Sequence, residues 1–248
     1  TSWASTPRAA PSFTASESLV AQATAGKTAK STCLACAIAQ AGHRCFVRRA
    51  FETVIFRPEI VAGDRVYLSH FERADAPAMA RWLSDLEVTT HLGAIGQVFG
   101  IEDEEEWIDR VRKDRFHPCF AIVLREGKKL IGSVGLKGVD PKRGTAELGI
   151  TIGEKTEWGK GYGAEAIRLI VDYSFTLLGL HSIFLKYWDF NPRARSAYLR
   201  AGFKDAGRLR SRVEVGGRRW DEHYMDITRD DFGPSRVVEQ LGLKKTDA

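Results

Sequence analysis

The chain lacks the features that mark several classes of protein. Its 248 residues contain only four cysteines, three of them within the first 45 residues. That number is too small for a disulfide-stapled fold and indicates a reducing compartment. No apolar run approaches the ~20 residues of a membrane span. We therefore expect a cytoplasmic protein without a membrane partner.

The basic excess of the chain is confined to its N-terminal segment. The formal net charge is +5, and residues 1–57 alone hold seven basic and two acidic side chains. The rest of the chain therefore holds 30 of the 37 basic and 30 of the 32 acidic residues, and is neutral overall. A neutral remainder gives no support for a nucleic-acid surface, so no nucleic-acid partner is expected.

Residues 1–57 form an extension rich in Ala, Ser and Thr and without a long periodic segment. The chain begins at Thr1 without a methionine, and we interpret the extension as disordered or as non-native leader sequence. An organellar transit peptide is the alternative, because such peptides share the Arg- and Ser-rich, acid-poor composition.

Two site hypotheses fall within this extension. Cys33, Cys36, His43 and Cys45 supply four N/S ligands, the number that tetrahedral zinc requires. Their spacing is cramped, however, and the apolar residues between the cysteines suit a helical turn equally well, so no metal is expected. The segment 21–28 fits only the loosest phosphate-loop pattern, since its first position is Ala and no buried strand precedes it.

From Ile60 the sequence becomes globular. Alternating apolar and polar residues predict short strands, and apolar residues at helical spacing predict helices between them. The predicted fold class is α/β (α+β), with a mixed central sheet of about six to seven strands and helices on both faces. This domain is expected to span residues 58–232, followed by a polar C-terminal tail at 233–248.

The domain is organised around a glycine-rich turn between a strand and a helix. The strand covers 146–152, and the helix begins at Ala164. The turn reads Trp158-Gly159-Lys160-Gly161-Tyr162-Gly163. Glycine allows a tight turn and close approach of a ligand, and the unpaired amides at a helix start attract phosphate groups. The spacing fits neither the dinucleotide-binding fingerprint nor the phosphate loop.

A second motif lies downstream, where Asn191-Pro192 precedes a helix that contains Tyr198 and ends before Gly202-Phe203. Asn191 suits a helix N-cap, and Gly202 suits the helix stop. The two motifs together resemble those of the GNAT superfamily of acyl-CoA N-acyltransferases over about residues 58–232. The glycine turn is similar to that family's pyrophosphate loop, with Trp158 in place of its usual Gln or Arg. The subgroup it resembles most is the ribosomal-protein alanine and serine N-acetyltransferase type.

The resemblance implies a GNAT fold that uses acetyl-CoA as co-substrate and acetylates an amine by direct transfer in a ternary complex. The residues it implies for acetyl-CoA binding are Ile150, Thr151, Ile152, Trp158, Gly159, Lys160, Gly161, Tyr162, Gly163, Ala164 and Asn191. It also implies that Tyr198 protonates the CoA thiolate, although a buried aromatic of the helix is the plain alternative. Glu147 is the candidate base; the alternative is a structural ion pair with a residue such as Arg143 or Arg193.

The acceptor is the least determined part of the prediction. The subgroup resemblance favours the α-amine of a protein N-terminus, in a monomer or homodimer. The acidic run at 102–106, expected near Asp221 and Glu222, would better suit a polyamine or an aminoglycoside-like small amine. The same run is also explained as a solvated helix start that complements the helix dipole. A non-catalytic regulator that binds acyl-CoA is the alternative from another functional class.

Overall fold

Eight strands form one mixed sheet in a computed structural model that describes residues 57–93 and 96–243. The strands are β1 (Val61–Ala62), β2 (Val66–Ser69), β3 (Cys119–Leu124), β4 (Leu130–Asp140), β5 (Thr145–Ile152), β6 (Ser182–Trp188), β7 (Lys204–Val215) and β8 (Arg218–Thr228). The helices are α1 (Ala76–Leu83), α2 (Leu86–Leu92), α3 (Ile101–Lys113), α4 (Tyr162–Thr176), α5 (Pro192–Ala201) and α6 (Arg236–Gln240). The zinc and phosphate-loop hypotheses lie outside the described residues.

The strand order is β1-β2-β3-β4-β5-β6-β8-β7. All neighbouring strands are antiparallel except β5 and β6, which run parallel. Those two strands pair through only three positions, the last being Glu147 with Phe184. Beyond that pair the strands separate, and a V-shaped gap opens in the middle of the sheet. We call this gap the seam.

Helices cover both faces of the sheet, as the sequence predicted. Alternation along β2 shows the division, because Leu68 packs into the core under α4 while its neighbour Tyr67 packs into the core under α1 and α3. Both side chains are completely buried. On the first face, Ile167 and Ile170 of α4 fill the space against the sheet, and on the second face Ile108 of α3 does so.

Three elements differ from the expectation. The eight strands exceed the predicted six to seven because β1 has only two residues, too few for an alternating pattern. Helix α2, which begins after the N-cap Asp85 and ends at Gly93 in the left-handed region, was not predicted from the sequence. The predicted polar tail contains α6, whose Val237 is buried and donates its amide to Asp172 of α4 at 3.0 Å.

Candidate active site

The seam opens into a cavity of about 800 Å³ that reaches from the glycine turn to α5. Its walls include β5 from Glu147 to Ile152, β6 from Lys186 to Trp188, the start of α4 and one side of α5. Among the described residues, β5 has no strand partner on its seam side beyond Glu147. Its backbone groups there can bind an extended ligand.

The glycine turn adopts the geometry that its composition predicts. Gly159 and Gly161 have φ angles of 77° and 89°, in the left-handed region where a side chain is disfavoured. Gly161 is the N-cap of α4, so the amides of Tyr162, Gly163 and Ala164 have no partner within the helix. A turn of this kind followed by free helix amides fits a pyrophosphate group.

Trp158 ties this turn to the end of β5. Its indole Nε1 donates to the carbonyl of Ile152 at 2.6 Å. The Arg193 guanidinium lies over the indole ring, 3.8 Å from the ring centre. Trp158 therefore fixes the turn beside the seam through its own side chain.

Lys160 does not reach the cavity that the other turn residues line. Its ammonium donates to Glu157 Oε2 at 2.8 Å, and the Lys160 side chain is about half exposed. The carbonyl of Lys160 accepts a hydrogen bond from Arg65 Nη1 at 2.9 Å. Arg65 also pairs with Glu165 at 2.9 Å. The backbone of Lys160 thus takes part in bracing the turn, while its charge is engaged by Glu157.

Tyr198 projects from α5 to the cavity and is almost completely buried. Burial raises the pKa of its hydroxyl to about 12, with a smaller contribution from the neighbouring Tyr187. The ring centres of these two tyrosines are 5.9 Å apart. The Tyr198 hydroxyl therefore keeps its proton at neutral pH, as a proton donor must.

Glu147 lines the cavity at the last paired position of the seam. Its Oε1 lies 3.4 Å from the ammonium of Lys186 on β6. The suggested partners Arg143 and Arg193 are engaged elsewhere, with Asp140 and Glu87. The Glu147 side chain is 23% exposed and lines the cavity, so it combines an ion pair with access to the cavity.

The two candidate catalytic residues approach the seam from opposite faces of the sheet. The register places Glu147, Lys186 and Trp188 on one face. Tyr198 belongs to the hydrophobic cluster on the other face, together with Tyr187. A reacting group held in the seam would therefore meet a carboxylate on one side and a phenol on the other.

The remaining predicted residues line the seam cavity, and Asn191 also stabilises the start of α5. The segment from Ile150 to Ile152 lines the cavity beside Gly159, Gly161, Tyr162, Gly163 and Ala164. Asn191 also lines it, and its side chain caps α5 by accepting from the amide of Ala194 at 3.1 Å. Asn191 thus serves the helix while facing the same space.

Two further groups line the cavity: Glu222, which was expected beside the acidic run at 102–106, and His91, to which the sequence assigned no site role. Glu222 of β8 is buried and accepts a hydrogen bond from the Tyr224 hydroxyl at 2.8 Å. His91 of α2 packs against Trp158, and burial, followed by the charge of Arg193, lowers the pKa of its imidazole. Pairing with Trp188 of β6 places Glu222 at the border of the seam.

The acidic run at 102–106 does not line the seam cavity. The lining of the seam cavity includes Glu222 but neither Asp221 nor any residue of this run. Glu104 is instead only 4% exposed, on the inner side of α3. Burial and then the charge of Asp103 raise the pKa of Glu104. Of the acids in the expected cluster, only Glu222 therefore lines the cavity.

The part of the chain that the structure describes contains no cluster of three or more His, Cys, Asp or Glu residues able to hold a metal ion. None of its helices is long and apolar enough to cross a membrane.

Comparison with known proteins adds independent information about this site. The family model described as "acetyltransferase (GNAT) domain" matches residues 65–204. The chain is 27% identical over 176 residues to the uncharacterised N-acetyltransferase p20 of Bacillus licheniformis, covering 70% of this chain and 98% of that protein. It is 36% identical over 102 residues to spermidine N(1)-acetyltransferase of Vibrio cholerae, covering 41% of this chain and 56% of that protein.

A solved structure is similar in fold to the described domain. It is spermidine N-acetyltransferase from Vibrio cholerae in complex with CoA and spermine. The TM-score is 0.61 at 26% identity, over 68% of this chain and 99% of that one. These matches do not single out ribosomal-protein N-acetyltransferases, so that subgroup stays a prediction.

Proposed function

Since this chain belongs to the GNAT acetyltransferase family and is an N-acetyltransferase that uses acetyl-CoA, we propose that it acetylates a primary amine by direct transfer in a ternary complex. The observation that carries this proposal is the position of the seam. The seam begins at Glu147, passes Tyr198 and ends at the glycine turn, so the proposed base, the proposed acid and the proposed pyrophosphate site line one cavity.

In the proposed reaction the amine nitrogen attacks the thioester carbonyl carbon. A C–N bond forms, the C–S bond breaks, and the thiolate of CoA leaves. Glu147 accepts a proton from the amine, directly or through a water, and the Tyr198 hydroxyl donates a proton to the thiolate. The two roles suit the opposite faces from which these side chains reach the seam. The glycine turn and the free edge of β5 hold acetyl-CoA in place.

The acceptor that the cavity supports best is a small cationic amine of the polyamine type. Two carboxylates, Glu147 and Glu222, line it on one face of the sheet, and Trp188 lies on the same face. Carboxylates attract an ammonium group, and an aromatic face adds cation–π attraction. Relatives that act on spermidine support the same class. The α-amine of a protein N-terminus remains the second candidate, from the subgroup resemblance.

The decisive test measures release of free CoA thiol by the full-length protein with acetyl-CoA and a panel of amines. The panel contains spermidine, an aminoglycoside, and a short peptide with neutral side chains in free and N-terminally blocked forms. We expect acceptor-dependent release that is fastest with spermidine. Preference for the free peptide would instead assign the N-terminal α-amine. Tight acetyl-CoA binding without release for any amine would identify a regulator.

Glu222→Gln provides a matched variant for the acceptor class, because it keeps the size of the side chain and removes its charge. We expect it to raise KM for spermidine roughly tenfold, as loss of one charge-assisted contact would do, and to change KM for the neutral peptide little. An equal effect on both acceptors would contradict ammonium recognition by Glu222.

A further inference from the structure

A second cavity, of about 340 Å³, lies on the outer side of the glycine turn. Arg168 of α4 and Phe232 form part of its wall. Gly161, Ala164 and Arg200 of α5 line both this cavity and the seam cavity. The outer cavity therefore continues from the point where the turn and the helix amides would hold a pyrophosphate.

The carboxylates of the outer cavity are already engaged. Glu165 accepts from Arg65 at 2.9 Å, and Asp64 accepts from Arg236 at 2.7 Å. The third carboxylate, Asp172, accepts from the Ser235 hydroxyl at 2.5 Å and from the amide of Val237 at 3.0 Å. None of these three acids forms an ion pair with either Arg168 or Arg200.

Arg168 and Arg200 are each held by a neutral group. The Arg168 guanidinium lies over the Phe232 ring, 5.5 Å from its centre. Arg200 Nη1 donates to Ser196 Oγ at 2.8 Å. Within residues 57–93 and 96–243, neither guanidinium forms a salt bridge. The structure thus places two guanidinium groups beside the turn, and no carboxylate of the described residues forms an ion pair with either of them.

We propose that Arg168 and Arg200 bind the 3′-phosphate of CoA. In CoA this phosphate sits on the ribose whose 5′ oxygen carries the pyrophosphate, so it must lie within a few bonds of the glycine turn. It carries close to two negative charges at neutral pH, and guanidinium groups bind such phosphates through paired N–H donors. The inference rests on acetyl-CoA binding at the turn, as the proposed function requires.

Calorimetry with CoA and 3′-dephospho-CoA tests this assignment without any acceptor amine. The parent protein should bind CoA roughly tenfold or more tightly than dephospho-CoA, the scale of one to two charge-assisted contacts at an exposed site. The double variant Arg168→Ala/Arg200→Ala should lose that preference. Its affinity for dephospho-CoA should stay within about twofold of the parent value, because the pyrophosphate contacts are untouched.

The double variant Arg110→Ala/Arg115→Ala removes the same net charge at exposed positions outside both cavities. It should keep the parent's preference for CoA, which separates local contact from long-range attraction. Equal binding of the two ligands by the parent, or an equal loss for both ligands in the Arg168/Arg200 variant, would overturn the assignment. A parent that binds neither ligand would instead refute acetyl-CoA binding itself, and with it the proposed function.

Discussion

Replacement of Tyr198 by Phe isolates the proposed proton donor. The change removes one hydroxyl and keeps the ring, which packs 5.9 Å from Tyr187 and 6.3 Å from Phe203 between ring centres. No hydrogen bond joins this hydroxyl to another of the described residues, so its loss should change the free energy of unfolding little. Loss of a general acid lowers turnover by a factor of roughly 10²–10⁴. At about 1.36 kcal/mol per factor of ten, that is about 2.7–5.4 kcal/mol in the barrier.

The assay compares kcat and KM of the parent and variant proteins for acetyl-CoA, with spermidine as acceptor. We expect kcat to fall by at least two orders of magnitude while KM for acetyl-CoA changes little. Tyr173→Phe is the matched control, because Tyr173 lies in α4 against Phe120 and does not line the seam cavity. A Tyr198→Phe protein within threefold of parent turnover would refute the acid role.

The pH dependence supplies a second check on Tyr198. Since its pKa is raised to about 12, the hydroxyl remains protonated through the neutral and mildly alkaline range. Ionisation of Tyr198 should therefore cause no loss of activity below about pH 11. An alkaline limb near pH 9 that disappears in Tyr198→Phe would contradict this assignment.

Three other substitutions test separate parts of the structure. Glu147→Gln removes the proposed base and a partly exposed ion pair with Lys186 that contributes little stability. Turnover should fall roughly 100-fold, and the acidic limb of the pH–rate profile should flatten. An unchanged acidic limb would exclude Glu147 as the base. The Gly163→Val variant should fold, since an added Cβ lies 3.7 Å from its nearest neighbour. The two methyl groups of the valine should weaken acetyl-CoA binding, measured by calorimetry, roughly tenfold. An affinity equal to that of the parent would mean that acetyl-CoA does not contact the backbone at Gly163. Glu104→Gln removes a buried acid whose pKa is raised in the folded protein, so the variant should have a higher thermal midpoint than the parent at pH 7. Below pH 4 the Glu104 carboxyl of the parent is protonated in both the folded and the unfolded state, so the two midpoints should agree. A lower midpoint of the variant at pH 7 would show that the carboxylate stabilises the fold.

Local features of the chain were predictable because they depend on neighbouring residues. The glycine turn, the Asn191 cap and the Gly202 helix stop each follow from backbone preferences at single positions, and the structure has all three. The sheet with helices on both faces also follows from the sequence of alternating elements. Family resemblance then indicated which cavity to expect.

The features that were missed depend on long-range register. The ion pair between Glu147 and Lys186 requires β5 and β6 to run parallel, and the sequence of neither strand predicts that direction. Glu222 was expected beside the acidic run at 102–106, whereas it borders the seam because β8 pairs with β6. Glu104 belongs to a charge run that matches a solvated helix start, yet packing of α3 against the sheet turns it inward. Tertiary contacts decided each of these cases.

The three-position pairing of β5 with β6 also has a mechanical consequence. It leaves β6, β8 and β7 joined to the other five strands by a short set of backbone hydrogen bonds. Local opening of a fold costs the least free energy where few hydrogen bonds join its parts. An extended ligand that bridges both strands would act as a removable extra strand, and its occupancy would add RT ln(1 + [L]/Kd) to the free energy of unfolding. The concentration of acetyl-CoA in the cell would then set the resistance of this enzyme to opening and to proteolysis, as well as the rate at which it works.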